Sequence, residues 1–279
     1  MKKIGFIDYF LDEWHANSYP EMFRKWAPDF EVAYAYGKID SPRPGGLTSK
    51  QWEEKYGVQV LDTMEEVIEK SDYLIVLSPD NPEMHEELCK KPLQSGKNTY
   101  IDKTFAETLE SAERIFEMAK QGNTKCYSSS ALYFAEEYGK IYEKAAGYID
   151  SCGPGQFPIY VIHQLEPIAA MLKEKPIRAM SVGTEKYPSV IVEFEGGKRA
   201  KMSTFSSGGT FSMNIGYANE SAQLVTVKSD FWEGFIKALA RFFETGEIPV
   251  PHENTLHVIA AREAAIKALK TPYEWVYVK

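Results

Sequence analysis

Cysteine is scarce: Cys89, Cys126 and Cys152 are the only three in 279 residues. An odd, widely spaced set makes neither a disulfide framework nor a CxxC metal pair, and reads as small hydrophobes in packing. No apolar run approaches the roughly 20 residues that a bilayer span needs. The apolar start dies at Asp8, too short for the core of a signal peptide, and reads as a cytosolic, cytoplasmic N-terminus. Basic charge is not in excess either. The chain carries 32 Lys+Arg against 40 Asp+Glu, a net charge of -8. That speaks against a nucleic-acid partner while leaving room for a local basic pocket. Internal repeats and low-complexity segments are missing. What is present is an ordinary globular composition with 17 Tyr, 15 Phe and 5 Trp. Its length fits one large or two ordinary domains and needs no covalent staples.

The first half alternates short apolar runs with helical patterns. Lys3–Asp8 reads as a buried strand, and the stretch from Glu13 to Trp26 as a helix capped by Asp12. A second strand covers Glu31–Tyr36, and a Pro/Gly-rich loop runs from Gly37 to Thr48. Asp62-Thr63-Met64-Glu65 has capping-box spacing, with Asp62 in the Ser/Thr position, and opens a helix to Lys70. Tyr73–Leu77 is apolar enough for a parallel strand. Asn81-Pro82 starts the next helix, which ends by Gly96. A strand at Asn98–Ile101 and a helix from Thr108 to Gln121, stopped by Gly122, complete the rhythm. It implies a doubly wound parallel sheet.

The second half differs. Ser151-Cys152-Gly153-Pro154-Gly155 reads as a break. Val190, Val192 and Phe194 then alternate with Glu193 and Glu195, and Ala200, Met202 and Thr204 with Arg199, Lys201 and Ser203. This predicts a hairpin turning at Glu195-Gly196-Gly197, with opposite charges on its wet face. Strands near Phe211–Tyr217 and Ala222–Val227, helices over Asp230–Glu244 and Glu253–Lys270, and a short strand at Tyr273–Val278 follow. The expected fold class is α/β in residues 1–125 and α+β with an open, mostly antiparallel sheet in residues 126–279.

Residues 72–119 carry a more specific signal. A strand ends in Ser78-Pro79, followed by His85, then Ser95-Gly96-Lys97, a further strand, and Asp102-Lys103-Thr104-Phe105-Ala106. The order resembles the Gfo/Idh/MocA family, the glucose–fructose oxidoreductase and inositol dehydrogenase group. His163-Gln164-Leu165-Glu166 resembles that family's later His-x-x-Asp helix start. The resemblance implies a Rossmann-type first domain and NAD(P)-dependent chemistry on sugars, polyols or related hydroxy and keto compounds. Two departures stand out. The G-x-G-x-x-G that should follow the first strand is replaced by Asp8-Tyr9-Phe10-Leu11-Asp12-Glu13. Glycines serve there for the tight turn and the approach of the pyrophosphate, and carboxylates at a helix N-terminus oppose a phosphate. The family's Asp four residues before the His is Ile159.

Residue by residue, the resemblance implies that Lys103 polarises the substrate oxygen and that His163 relays its proton. Without it, Lys103 reads as an exposed lysine paired with Asp102, and His163 as a half-packed histidine. A desolvated lysine and a histidine both suit proton transfer near neutral pH. Ser78, Pro79, His85 and Asp102 would line the cofactor. The bland reading of His85 is a helix-surface residue. Lys38 and Arg43 follow the second strand, where a 2′-phosphate would be read, so the expectation leans to NADP over NAD. Tyr133 and Glu166 would meet the substrate, since aromatic faces suit sugar rings. The Ser128-Ser129-Ser130 run would hydrogen-bond a polyol or serve its own loop. His15, with Trp14 and Asn17, would line an altered pocket or, on the favoured reading, is an ordinary helical residue. His163 and Glu166 without a third ligand predict no metal site.

The leading expectation is an oxidoreductase with a small-molecule substrate. The rival is a non-catalytic small-molecule-binding or regulatory protein that has lost normal dinucleotide binding, for which the missing glycines and Ile159 speak. A cofactor-free lyase or hydrolase using Lys103 and His163 is a third possibility. A one-sided sheet in the second half would leave apolar surface wet, which predicts a homodimer or larger homo-oligomer.

Overall fold

Short apolar strands joined by capped helices build the first sheet. In the computed structural model, which describes residues 1–279, the chain forms two compact units. The first comprises Met1–Ala106, Glu110–Ser129 and Phe235–Pro251. Its elements are β1 (Lys2–Asp8), α1 (Trp14–Trp26), β2 (Phe30–Gly37), α2 (Ser49–Tyr56), β3 (Gln59–Val60) and α3 (Met64–Lys70). There follow β4 (Tyr73–Val76), α4 (His85–Cys89), β5 (Thr99–Ile101), α5 (Leu109–Gln121) and β6 (Cys126–Tyr127). All pairings are parallel and the order is β3-β2-β1-β4-β5-β6. This is the doubly wound order in which the chain reverses direction between β1 and β4, and ligands of such sheets bind beyond the strand ends at that point. Ile4, Phe6, Ile7, Leu74, Ile75, Val76, Tyr100 and Ile101 are buried, as a sheet covered on both faces requires. Gly5 is needed for packing: a Cβ there would lie 2.4 Å from Ser71 Oγ and 2.5 Å from Val67 Cγ1.

The second unit comprises Glu107–Leu109, Ser130–Gly234 and His252–Lys279. It contains α6 (Glu136–Gly139), β7 (Ala146–Pro154), α7 (Phe157–Tyr160), α8 (Ile162–Leu172), β8 (Pro176–Ser181), β9 (Ser189–Phe194) and β10 (Arg199–Phe205). β11 (Ser212–Tyr217), β12 (Ala222–Thr226), α10 (His252–Ala268) and β13 (Val276–Tyr277) complete it, while α9 (Phe231–Thr245), between β12 and α10 in the chain, lies mostly in the first unit. The seven-stranded sheet runs β12-β11-β7-β10-β9-β8-β13 and is antiparallel except for β7 beside β10. Helices α8 and α10 pack on one face. There Val190, Val192, Phe194, Ala200, Met202 and Thr204 are buried, as the alternation predicts. The other face carries Lys201–Asp150 at 2.9 Å and Glu193 between Arg178 and Arg199 at 2.9 and 2.7 Å. The face expected to leave apolar surface wet is therefore laced largely with ion pairs, with Tyr148 among its exposed aromatics.

Several local expectations need correction. α1 is capped by Glu13, not Asp12. The box before α3 is Thr63 with Glu66, because Thr63 Oγ1 reaches the Glu66 amide while Asp62 lies one residue too early. The loop after Gly37 is followed by an unforeseen α2 with its own Thr48–Gln51 box. The helix expected from Pro82 to Gly96 is α4 flanked by two 3₁₀ turns, Pro82–Met84 and Pro92–Gln94, since Pro92 interrupts it. The supposed break at Ser151–Gly155 lies mostly inside β7, which ends at Pro154. Only Gly155 turns, with φ +92, and a Cβ there would strike the Tyr160 ring at 2.2 Å.

Candidate active site

In the first unit the strand ends at the switch point gather ionisable side chains that the fold buries. Asp102 follows β5 and is 1 % exposed. Its Oδ2 lies 2.9 Å from His15 Nδ1. Its Oδ1 accepts from the Tyr100 hydroxyl at 3.2 Å. Burial opposes its charge, but His15 above all, with Lys103 and His85, holds the carboxyl below the usual range. His15 is thus half of a buried Asp–His pair rather than an ordinary helical residue. The expectation missed it because the partner is remote in sequence. Lys103 follows Asp102 at the strand's C-terminal end and is only 9 % exposed, so it is not the solvated surface lysine of the bland reading.

His85 is fully buried, not on a helix surface. Its Nδ1 lies 2.9 and 3.1 Å from the Thr104 and Phe105 carbonyl oxygens, and its Nε2 2.8 Å from that of Leu77. The ring ties the end of β4 to the segment carrying Lys103. Burial lowers its pKa, with Asp102 and the carbonyls pulling the other way. Ser78 and Pro79, which end the segment after β4, are also buried. Ser78 holds φ +107, an unusual backbone for a residue with a Cβ, and its hydroxyl donates to the Asn81 carbonyl at 3.0 Å.

The loop after β1 is filled. Phe10 and Leu11 are 5 % and 1 % exposed. Leu11 lies against Gly37 at the end of β2, 3.1 Å from where a Cβ would stand. The amides of Lys38 and Ile39 donate to the Asp8 and Tyr9 carbonyls at 3.0 and 2.9 Å, tying this loop to the segment after β2. Arg43 stacks on the Phe10 ring, 5.1 Å from its centroid, and pairs with Asp80 at 2.7 Å. Lys38, exposed, pairs with Glu87 at 2.7 Å. Both basic side chains behind the lean to NADP therefore hold carboxylates.

Glu13 is 1 % exposed and caps α1 with its own carboxylate, which accepts from the His15 amide at 2.7 Å and from the Ala16 amide. Burial, opposed by His15 and these amides, pushes its pKa up to about 7. Asp8 is 1 % exposed, and its two oxygens make no hydrogen bond of good geometry. Burial, followed by the charges of Glu13 and Asp102, drives its pKa well above the usual range.

In the second unit, α8 presents His163 and Glu166 to one residue. Ser130 Oγ lies 2.6 Å from His163 Nδ1, and the Ser130 amide donates to Glu166 Oε2 at 2.6 Å. The His163 ring stands between Tyr160 and Phe211, at centroid distances of 5.4 and 5.7 Å. Tyr133 stacks on Tyr142 at 4.8 Å, and burial, with Glu166 and Glu143 adding, pushes its hydroxyl up to about 12. The Ser128–Ser130 run serves its own structure. Ser128 Oγ donates to the Asp102 carbonyl, and the Ser129 carbonyl accepts from Tyr100. No group of three His, Cys, Asp or Glu side chains is arranged to hold a metal ion. No helix is long and apolar enough to cross a membrane.

Residues 39–130 match the sequence model of the Gfo/Idh/MocA oxidoreductase family, described as an NAD-binding Rossmann fold. The resemblance read from residues 72–119 is borne out over that stretch, and the matched segment begins after the altered loop. No curated protein sequence matches. Among solved structures, scyllo-inositol dehydrogenase from Lactobacillus casei with bound NAD(H) and scyllo-inositol is similar at TM-score 0.80 and 14% identity, covering 99% of each chain. Myo-inositol 2-dehydrogenase from Lactobacillus plantarum is similar at 0.79 and 10% identity, over 100% of this chain and 99% of that one. A probable dehydrogenase from Thermotoga maritima gives 0.77 and 15% identity, over 99% and 98%. At such identities these likenesses establish the fold.

Proposed function

We propose that the chain is an oxidoreductase of a sugar, polyol or related small hydroxy or keto compound, with Lys103 and His163 handling the substrate oxygen. The observation that carries this reading is Lys103 at the C-terminal end of β5, nearly buried and following Asp102 within the matched family segment. The Lys103 ammonium donates a hydrogen bond to the substrate oxygen and stabilises charge there as the carbon changes oxidation state. Asp102, held charged by His15, keeps that ammonium company electrostatically. His163, whose Nδ1 lies 2.6 Å from Ser130 Oγ, is the proposed proton relay. Tyr133 and Glu166 flank Ser130's side of the second unit and are the proposed substrate contacts.

The family implies NAD or NADP as the hydride carrier, which Ser78, Pro79, His85 and Asp102 would approach. The filled loop after β1 does not fit the carrier's diphosphate in the usual Rossmann pose: Glu13's carboxylate already occupies the α1 amides. That observation favours one second reading, a small-molecule-binding protein without turnover. A homodimer or larger homo-oligomer is part of the same reading, and light scattering at micromolar concentration would test it; the ion pairs on the open sheet face remove the apolar surface that argued for that face as the contact. The two functional readings separate in one screen. Cyclic polyols and sugars are offered with NAD or NADP while nicotinamide absorbance is followed. Turnover supports the oxidoreductase; polyol binding by calorimetry without turnover supports the second reading.

A further inference from the structure

We infer that Glu13 is an internal substitute for a ligand phosphate, and that its carboxylate, rather than the lost glycines alone, closes the first unit's phosphate seat. The inference deepens the oxidoreductase reading, on which it rests for the class of ligand. A helix N-terminus offers unpaired amides and a positive dipole end to an anion. In α1 the Glu13 carboxylate takes the His15 and Ala16 amides. It does so from a fully enclosed position, with Leu11 and Asp8 of the same loop also buried. A second anion arriving at those amides must displace this carboxylate. It also meets the buried carboxylates of Asp8 and Asp102, which already interact with Glu13.

The structure also explains how the chain tolerates a carboxylate there. His15 Nδ1 lies 3.6 Å from Glu13 Oε2 and 2.9 Å from Asp102 Oδ2, so one ring serves two acids. Asp8 keeps no such partner and lies in the same loop, on the β1 side of the seat. The arrangement is self-consistent without a ligand: the amides are capped, and the His15 ring lies against both Glu13 and Asp102. It predicts a Rossmann unit that resists phosphate until Glu13 is removed.

The test is calorimetric titration of the full chain with NADH, NADPH and ADP-ribose, without substrate. Wild type is compared with Glu13→Ser, which keeps an N-cap hydroxyl for α1, and with the isosteric Glu13→Gln, which removes the charge and leaves one accepting oxygen where Glu13 has two. Thermal melting of each variant verifies the fold. The expected result is about tenfold or more tighter binding of at least one probe in Glu13→Ser, with a smaller gain in Glu13→Gln. Equal affinity in all three proteins overturns the inference. So does an absence of binding in all three, because the obstruction then lies in the Tyr9–Leu11 bulk. The oxidoreductase reading fails separately. If Glu13→Ser gains affinity but no polyol or sugar is turned over by either protein, the phosphate inference stands and the activity falls. If wild type turns over a polyol with the same dinucleotide affinity as Glu13→Ser, the reverse holds.

Discussion

The two strand ends at the switch point have been treated differently. Beyond β4 and β5, the chain matches the Gfo/Idh/MocA sequence model, and a buried histidine pins the segment that carries Lys103. Beyond β1, the pattern is gone, and aromatic and acidic side chains fill the space that glycines would leave open. One sheet thus holds a retained end and a rebuilt one. Geometry specific to a substrate oxygen depends on a few side chains held by packing. A phosphate seat depends on backbone amides left unpaired, and a single well-placed carboxylate closes it.

Removing Lys103 should break the retained end most completely. Lys103→Met is expected to lower turnover by about 100-fold or more while melting stays near wild type, as initial rates and a thermal scan would report. His85→Ala should damage the same end through structure. It leaves three carbonyls without the ring and opens a cavity, for an expected loss of about 2–4 kcal/mol in denaturant unfolding. Lys103 turnover should fall with it, since the ring reaches the carbonyls of the next two residues.

The rebuilt end should be visible in pH dependence. Glu13 titrates at about 7 when folded, against an ordinary 4.5. A carboxyl that binds its proton more tightly when folded favours the native state at low pH. That contribution is complete below about 4.5 and is lost as pH rises to about 7. Asp8 shifts in the same direction. Asp102, with its pKa lowered, works oppositely, but only in the acid range where it would protonate. Wild type should therefore melt a few degrees lower at pH 8 than at pH 5.5, and Glu13→Gln should flatten that slope. The smallest effect belongs away from both ends. Arg241→Ala removes an exposed pair with Glu247 and should change unfolding free energy by less than about 0.5 kcal/mol.

Strands β1, β2, β4, β5 and β9 to β12 were legible because apolar runs and turn residues announce them locally, whereas β3 and β8 were not foreseen and β7 reads from sequence as a break. The hairpin of β9 and β10 followed from its alternation, down to the ion pairs on its wet face. Caps were harder: Asp12, Asp62 and Thr63 suit the position by type and Glu13 does not, and only backbone geometry decides which carboxylate or hydroxyl reaches the amides. Lys103, His163 and Glu166 were singled out by family pattern, and the fold places the last two around Ser130. His15 reads from sequence as an ordinary helical residue and Glu13 only as a charge opposing a phosphate, because their partners are set by distance. One meets an acid from β5, far along the chain, and the other meets amides only two and three residues ahead that a sequence pattern does not show as unpaired. A Glu at the first helix in place of glycine was the available signal.

The most direct test of the contrast between the two ends is polyol-dependent change in nicotinamide absorbance, measured side by side for wild type and Glu13→Ser across a range of NAD and NADP concentrations. The account predicts turnover of at least one cyclic polyol or sugar, with half-saturation at lower dinucleotide concentration in Glu13→Ser. No turnover by either protein at millimolar dinucleotide, or identical half-saturation in both, would contradict it.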